Sequence, residues 1–281
     1  MTEAIDLTGL FVGKGPVVQQ RNAKGEVKIE SDDLPTPIWN GPLGVLINRG
    51  SASASEIFAA AVQDYARGVI IGEPSFGKGT VQTVINLDEV VQNPEAKFGE
   101  LKLTVAQFFR INGGTTQLRG VTPDINLPGT FNIKTTGESS FDNALPWSQV
   151  KAAKYKSFGD MAATILQLQE RHDSRVKNKS EFQRFLEDIA ALKAQREKTI
   201  ISLNEATRRD EIFAEANRLK ARGKNNDEVD ADKDDGLQSN ERSLSAEIAL
   251  EKARKSTKDV LQNEAAAIVG DLADLHKEAS K

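Results

Sequence analysis

Residues 42–72 read as a strand, a helix and a second strand in succession, and this order restricts the fold more than any other feature of the chain. Pro42-Leu43-Gly44-Val45-Leu46-Ile47-Asn48 is apolar almost throughout and bounded by turn residues, the pattern of a strand covered on both faces. Ser53 to Arg67 then places Ile57, Phe58, Ala61, Val62 and Tyr65 at helical spacing. Gly68-Val69-Ile70-Ile71-Gly72 is again continuous and apolar. Two such strands joined by one helix pair in parallel, so an α/β architecture with a partly parallel sheet is expected. Thr80 to Leu87 and Leu101 to Ile111 read as further strands, with a polar excursion at 88–99 between them.

The composition changes near residue 128. Pro128 to about Val150 is rich in Gly, Thr, Asn and Ser, and reads as a linker or strap packed on what precedes it. Beyond Lys151 there is no proline, and Ala, Leu, Glu, Lys and Arg dominate. Helices are expected over Asp160 to His172, Ser180 to Asn204 or beyond, Glu205 to Arg222 and Ser245 to His276. Phe182, Phe185, Leu186, Ile189 and Leu192 form one apolar stripe, read as helix-packing surface. At 281 residues the chain is long enough for two domains. The division expected is 1–128, a strap at 129–150, and an all-helical domain at 151–281 with a mobile acidic segment at 223–240.

Several function classes lack raw material. There is no cysteine, hence no disulfide scaffold, thiolate zinc site or cysteine nucleophile. His172 and His276 are the only histidines, both on polar helical stretches and expected at the surface, so a histidine-based triad is not supported. Lys and Arg total 37 against 41 Asp and Glu, a formal charge of −4 that argues against a generally basic nucleic-acid binder. No apolar run reaches the roughly 18 residues of a membrane span, and the first residues show no secretory leader. Gly72 to Gly79 nearly spells a phosphate-binding loop, but Gly79 stands where a hydroxyl must reach magnesium, and a strand rather than a helix follows. Asp230, Asp232, Asp234 and Glu241 echo a calcium loop whose turn glycine is one place late, and read instead as an acidic solvated linker. No metal, nucleotide or other cofactor is expected.

Chemistry would have to come from Ser, Thr, Asp, Glu or Lys. Gly50-Ser51-Ala52-Ser53-Ala54-Ser55-Glu56-Ile57 joins a buried strand to a helix. Ser53 with Glu56 three residues on has the pattern of a capping box. A serine in that turn also sits at the positive end of the helix dipole, where backbone N–H groups can hold a developing oxyanion. Both readings stand on the residues alone, and Ser51 and Ser55 compete with Ser53.

Three segments together resemble the C-terminal processing peptidases, the Ser-Lys proteases also called tail-specific proteases. They are Ser51 to Ala61, Gly72 to Gln82, and Gly120-Val121-Thr122-Pro123-Asp124-Ile125. Asp142-Asn143-Ala144-Leu145-Pro146-Trp147 and the helical tail are similar to the large periplasmic branch of that family in Gram-negative bacteria. The resemblance covers essentially the whole chain and is weakest after about residue 205.

What the resemblance implies is a ClpP/crotonase-like α/β protease domain followed by an all-helical domain. It implies Ser53 as nucleophile, selected by the family's Ser-to-Lys separation, with Lys78 as general base, Gln82 orienting the lysine amine and the Ala54 amide in the oxyanion hole. A lysine amine is a poor base at its ordinary pKa of about 10.4, and burial is what lowers it. The implied substrates are proteins with apolar C-terminal tails, in the periplasm, with adaptor binding or self-association through the helical region. In the family a PDZ domain and a glycine-rich turn, which supplies a second oxyanion donor, precede the point matched by Thr2. The chain therefore reads as the C-terminal portion of a longer protease, expected to be a poor peptidase by itself. The rival reading is an inactive fragment that serves as a scaffold or partner-binding module.

Overall fold

The strand–helix–strand unit forms as its sequence requires. The computed structural model describes residues 1–91, 97–132, 135–221 and 259–279. Strand β3 (Gly44–Ile47), helix α2 (Ala54–Asp64) and strand β4 (Val69–Gly72) follow one another, and β3 pairs with β4 in parallel, Gly44 opposite Val69. Strand β7 (Ile125–Asn126) adds to the other side of β4, also in parallel. The Gly120–Ile125 motif is fastened here: Asp124 accepts the Ile70 N–H through Oδ2 at 2.8 Å and the Gln63 amide through Oδ1 at 2.8 Å.

A second, antiparallel sheet has the order β2-β1-β6-β5. It contains β1 (Gly15–Asn22), β2 (Val27–Asp32), β5 (Thr80–Asn86) and β6 (Glu100–Phe109). The expected strands at 80–87 and 101–111 are β5 and β6, paired with a register shift between Val81 and Gln82. Helix α1 (Thr2–Val12) and strands β1 and β2 have no counterpart in the periodicity of the sequence, and the polar excursion begins with a short helix, α3 (Leu87–Val91). Strand β2 is exposed or half-buried along its whole length, so its alternation is shallow.

Helix α2 is the hinge of this arrangement because both its sides are covered. Ile57 and Ala61 pack with Ala4, Val17, Val18 and Phe108, toward α1 and the antiparallel sheet. Ala59, Ala60 and Val62 pack with Ile47, Ile70 and Val121, toward the parallel sheet. Small side chains at 59–61 let both layers approach one helix, which fixes where its N-terminus lies. Gly72 closes β4 at φ +121°, and a Cβ there would collide with the Ile47 carbonyl oxygen, so only glycine fits.

The helical half contains α4 (Ala162–Asn178), α5 (Ser180–Glu197), α6 (Glu205–Ala221) and α7 (Val260–Ala279). The segments expected at 223–240 and at the start of the last helix, 245–258, lie outside the described residues, as does the 230–241 acidic motif. Contacts divide the chain into two units, 1–189 with 261–281 and, separately, 190–260. In the smaller unit α6 is laced by surface pairs such as Arg209–Glu205 at 2.8 Å and Arg208–Glu211 at 2.6 Å.

In the larger unit α4 and α7 share one core with the strands. Leu168 of α4 and Ala265, Ile268 and Leu272 of α7 pack with Val69, Ile71, Ile125 and Leu127. This explains a departure from the sequence reading: His172 is not at the surface but 4% exposed. Its Nδ1 lies 3.0 Å from Glu264 Oε1, and its ring meets Phe182 edge-on at 5.9 Å. Helix α7 covers α4 from far along the chain, which the local polarity around His172 does not register. Ile268→Ala removes a fully buried side chain from this core and should cost about 2–5 kcal/mol. Urea denaturation of the whole chain checks this; a loss under about 1 kcal/mol would mean α7 lies outside the cooperative unit.

Candidate active site

Ser53 is the residue that enters α2, and its backbone is unusual: φ is +56° and ψ −111°. A non-glycine residue there stores about 1–3 kcal/mol and persists only where neighbours hold it. The holder is Glu56, fully buried one turn into the helix. Its Oε2 accepts the Ser53 N–H at 2.8 Å, the reciprocal bond of the capping pattern, and also the Lys78 N–H at 2.9 Å. Its Oε1 accepts the Gly77 N–H at 2.7 Å and the Ser75 hydroxyl at 2.5 Å. One carboxylate thus ties the serine turn to the Gly72–Thr80 loop. Burial pushes the Glu56 carboxyl above its ordinary range, against the four donors, which favour the charged form.

Further bonds fix the same loop. Phe76 N–H donates to the Ser51 carbonyl at 2.9 Å. The Ser75 hydroxyl accepts the Val121 N–H at 2.6 Å. Gly79 N–H donates to Gln117 Oε1 at 2.8 Å, and a Cβ at Gly79 would come within 2.5 Å of Thr115 Oγ1. Arg49, 4% exposed, donates through Nη1 to the Ser75 carbonyl at 2.6 Å.

The predicted site residues fall as follows. The backbones of Ser53 and Lys78 meet at one oxygen of Glu56. Ala54 opens α2, so its N–H is among those with no partner inside the helix. Lys78 is half-buried and Gln82 exposed, and with Thr80 they line one cavity of about 360 Å³. Of the competing serines, Ser51 Oγ accepts the Asn48 N–H at 3.2 Å, and Ser55 Oγ donates to the Ala52 carbonyl at 2.7 Å. Ser75, Arg49 and Gln117 carry no local signal in the sequence. Glu56 is marked there as the capping partner of Ser53, but that pattern accounts for one of its four bonds.

A hydroxyl in a constrained turn, free N–H groups at a helix N-terminus and a loop carrying an amine are the kinds of groups that acyl transfer uses. The sequence model described as Peptidase family S41 matches residues 1–127. The one described as the C-terminal domain of tail specific protease (DUF3340) matches residues 131–274. The second match covers more than half of the chain, which therefore belongs to the tail-specific protease family, with the Peptidase family S41 match over its first half.

Among individual proteins, the chain is 43% identical over 226 residues to the tail-specific protease of Haemophilus influenzae, covering 78% of this chain and 32% of that protein. It is 44% identical over 126 residues to the carboxy-terminal-processing protease of Bartonella bacilliformis, covering 44% of this chain and 27% of that one. Among solved structures, a photosystem II D1 C-terminal processing protease is 35% identical with a TM-score of 0.39, over 45% of this chain and 31% of that one. The chain thus spans about a third of the length of such relatives or less. Among the described residues no helix is long and apolar enough to cross a membrane.

Proposed function

We propose that the chain carries the Ser-Lys dyad of a C-terminal processing peptidase on a ClpP/crotonase-like fold. Ser53 Oγ attacks the scissile carbonyl while Lys78 Nζ takes the hydroxyl proton. The carbonyl oxygen becomes an oxyanion facing the Ala54 N–H at the start of α2. The C–N bond then breaks, the lysine proton passes to the departing amine, and an ester to Ser53 remains. Water attacks that ester with its proton going to Lys78. The C–O bond to Ser53 breaks, and the lysine passes that proton to Ser53 Oγ, releasing the acid product and restoring the free serine and neutral amine. Gln82, uncharged, orients the lysine amine without favouring its ammonium form as a carboxylate would. The substrates are proteins with apolar C-terminal tails and the compartment is the periplasm, as the relatedness to tail-specific proteases suggests. Adaptor binding or self-association falls to the helical region.

The observation that carries this reading is the shared Glu56 oxygen, which holds the Ser53 and Lys78 backbones together although Lys78 lies 22 positions beyond Glu56. In this arrangement the two side chains make no hydrogen bond with each other, and apo sites commonly tighten only around substrate. Treating the folded chain with a small fluorophosphonate and mapping the adduct by peptide mass tests it. The label is expected on Ser53. No adduct on a folded sample, or an adduct on Ser51 or Ser55, overturns the assignment.

A further inference from the structure

Beside Lys78 and Gln82 the cavity has a wall that the dyad does not use, formed by the segment 136–147. This strap is anchored along its length. Arg49 donates through Nε to the Thr136 carbonyl at 2.7 Å and through Nη2 to Ser139 Oγ at 3.3 Å. Glu138 N–H donates to the Phe76 carbonyl at 3.0 Å. The buried Gln117 amide donates to Glu138 Oε1 and to the Leu145 carbonyl, each at 3.0 Å, while its oxygen holds the N–H of Gly79. At the far end Trp147 donates through Nε1 to the Thr115 carbonyl at 3.0 Å, with Arg119 stacked over its ring at 4.3 Å.

Two side chains of this anchored strap do not follow the usual logic of burial. Phe141 is 54% and Leu145 41% exposed, although the backbone around them is held in place. Both line the cavity, with Ala144 between them and Phe76 opposite, its ring 6.4 Å from that of Phe141. A rigid rim that keeps apolar side chains in water next to a candidate catalytic lysine is built to be covered by something apolar.

We infer that the cavity between the Lys78–Gln82 edge and the 136–147 strap is a specificity pocket for an uncharged apolar side chain of the substrate next to the scissile bond, with Phe141 and Leu145 as its selecting residues. The inference rests on the dyad reading and deepens it. A volume of about 360 Å³ is at the low end of ligand pockets, which run to roughly 1,000 Å³, and matches one or two side chains rather than a folded domain. The Glu138 carboxylate in the lining, fixed by Gln117, disfavours an acidic side chain through like charge. Because Gln117 bonds both strap and Gly79, the wall and the lysine loop are held in one register before substrate arrives.

The test uses quenched-fluorescence peptides in which Ala, Leu, Phe or Asp occupies, in turn, each position flanking the cleaved bond. Unaltered chain should favour Leu or Phe over Asp at one flanking position by about tenfold or more in kcat/KM. Phe141→Ala should lower kcat/KM for that peptide by about tenfold, mainly through KM, and shrink its advantage over the Ala peptide. Leu145→Ala should act in the same direction. Phe141 is half in water, so its removal leaves the fold in place. Fluorophosphonate labelling of Ser53 in the unaltered chain reports the dyad separately. If Ser53 labels but the peptides show no side-chain preference, or keep it in both variants, the pocket is wrong while the dyad stands. If Ser53 does not label and no peptide is cleaved, both fall.

Discussion

Replacing Lys78 with arginine is expected to stop peptide cleavage as completely as Ser53→Ala does. The loss in kcat/KM should be on the order of 10⁴-fold or more, and the double variant should be no worse than either single one. A guanidinium keeps its proton under all ordinary conditions, so arginine at 78 preserves charge and approximate size but cannot accept the Ser53 proton. Removing the serine or the base disables the same step, which is why the two losses do not add. The Lys78 N–H bond to Glu56 comes from the backbone, so Lys78→Arg should unfold at nearly the same urea concentration as the parent chain. The measurement is kcat/KM alongside the urea midpoint, with fluorophosphonate labelling of Ser53 as a second readout. An arginine variant retaining a tenth of the parent rate would remove Lys78 from the role of base.

Glu56→Ala should be the most damaging substitution at the site for stability, and it should silence Ser53 as well. Four donors lose their acceptor at once: the N–H groups of Ser53, Gly77 and Lys78 and the Ser75 hydroxyl. Each buried donor left unpaired costs about 1–3 kcal/mol, and partial relaxation brings the expected total to about 3–5 kcal/mol. Glu56→Gln keeps one acceptor oxygen and turns an NH₂ toward the remaining donors, so it should cost at least half as much. The turn at Ser53 loses its holder, so fluorophosphonate labelling should slow even where the variant remains folded. Acid dependence adds a second signature. Burial makes the native Glu56 hold its proton to higher pH than the unfolded chain does, so its ionisation reduces stability as pH rises above about 4.5. That contribution should vanish in Glu56→Gln. A Glu56→Ala chain with parental stability would show that the four bonds are incidental.

The strand–helix–strand unit was legible because its signal is local: β-branched runs and a helical period both lie within a few residues of the positions they describe. The same holds for α4 and α6, and for the start of α5, whose stretches carry helix-forming residues and no proline; α5 nevertheless ends at Glu197, short of the Asn204 expected. Helix α1 and strands β1 and β2 were not read from the sequence; for β2 the reason is that it is exposed or half-buried throughout and leaves little contrast. His172 failed for the complementary reason. Its neighbours on α4 are polar, and what buries it includes Glu264, 92 residues away.

By itself the sequence determined the succession of β3, α2, β4, β5 and β6, the parallel pairing around α2, the small stock of histidine and the lack of cysteine, and the serine- and lysine-bearing segments that relate the chain to its family. The tertiary structure alone decided that one buried carboxylate would gather Ser53, Ser75, Gly77 and Lys78, that a strap would wall a cavity beside the lysine, and that α7 would close the core of the parallel sheet. The physical reason is range. A helical or strand period is imposed by neighbours one turn or two residues away, whereas Arg49 meets Ser139 across 90 positions and Gln117 meets Gly79 across 38. Which donor a buried acceptor finds is settled only when the layers pack, because that is when water is no longer available as the alternative partner.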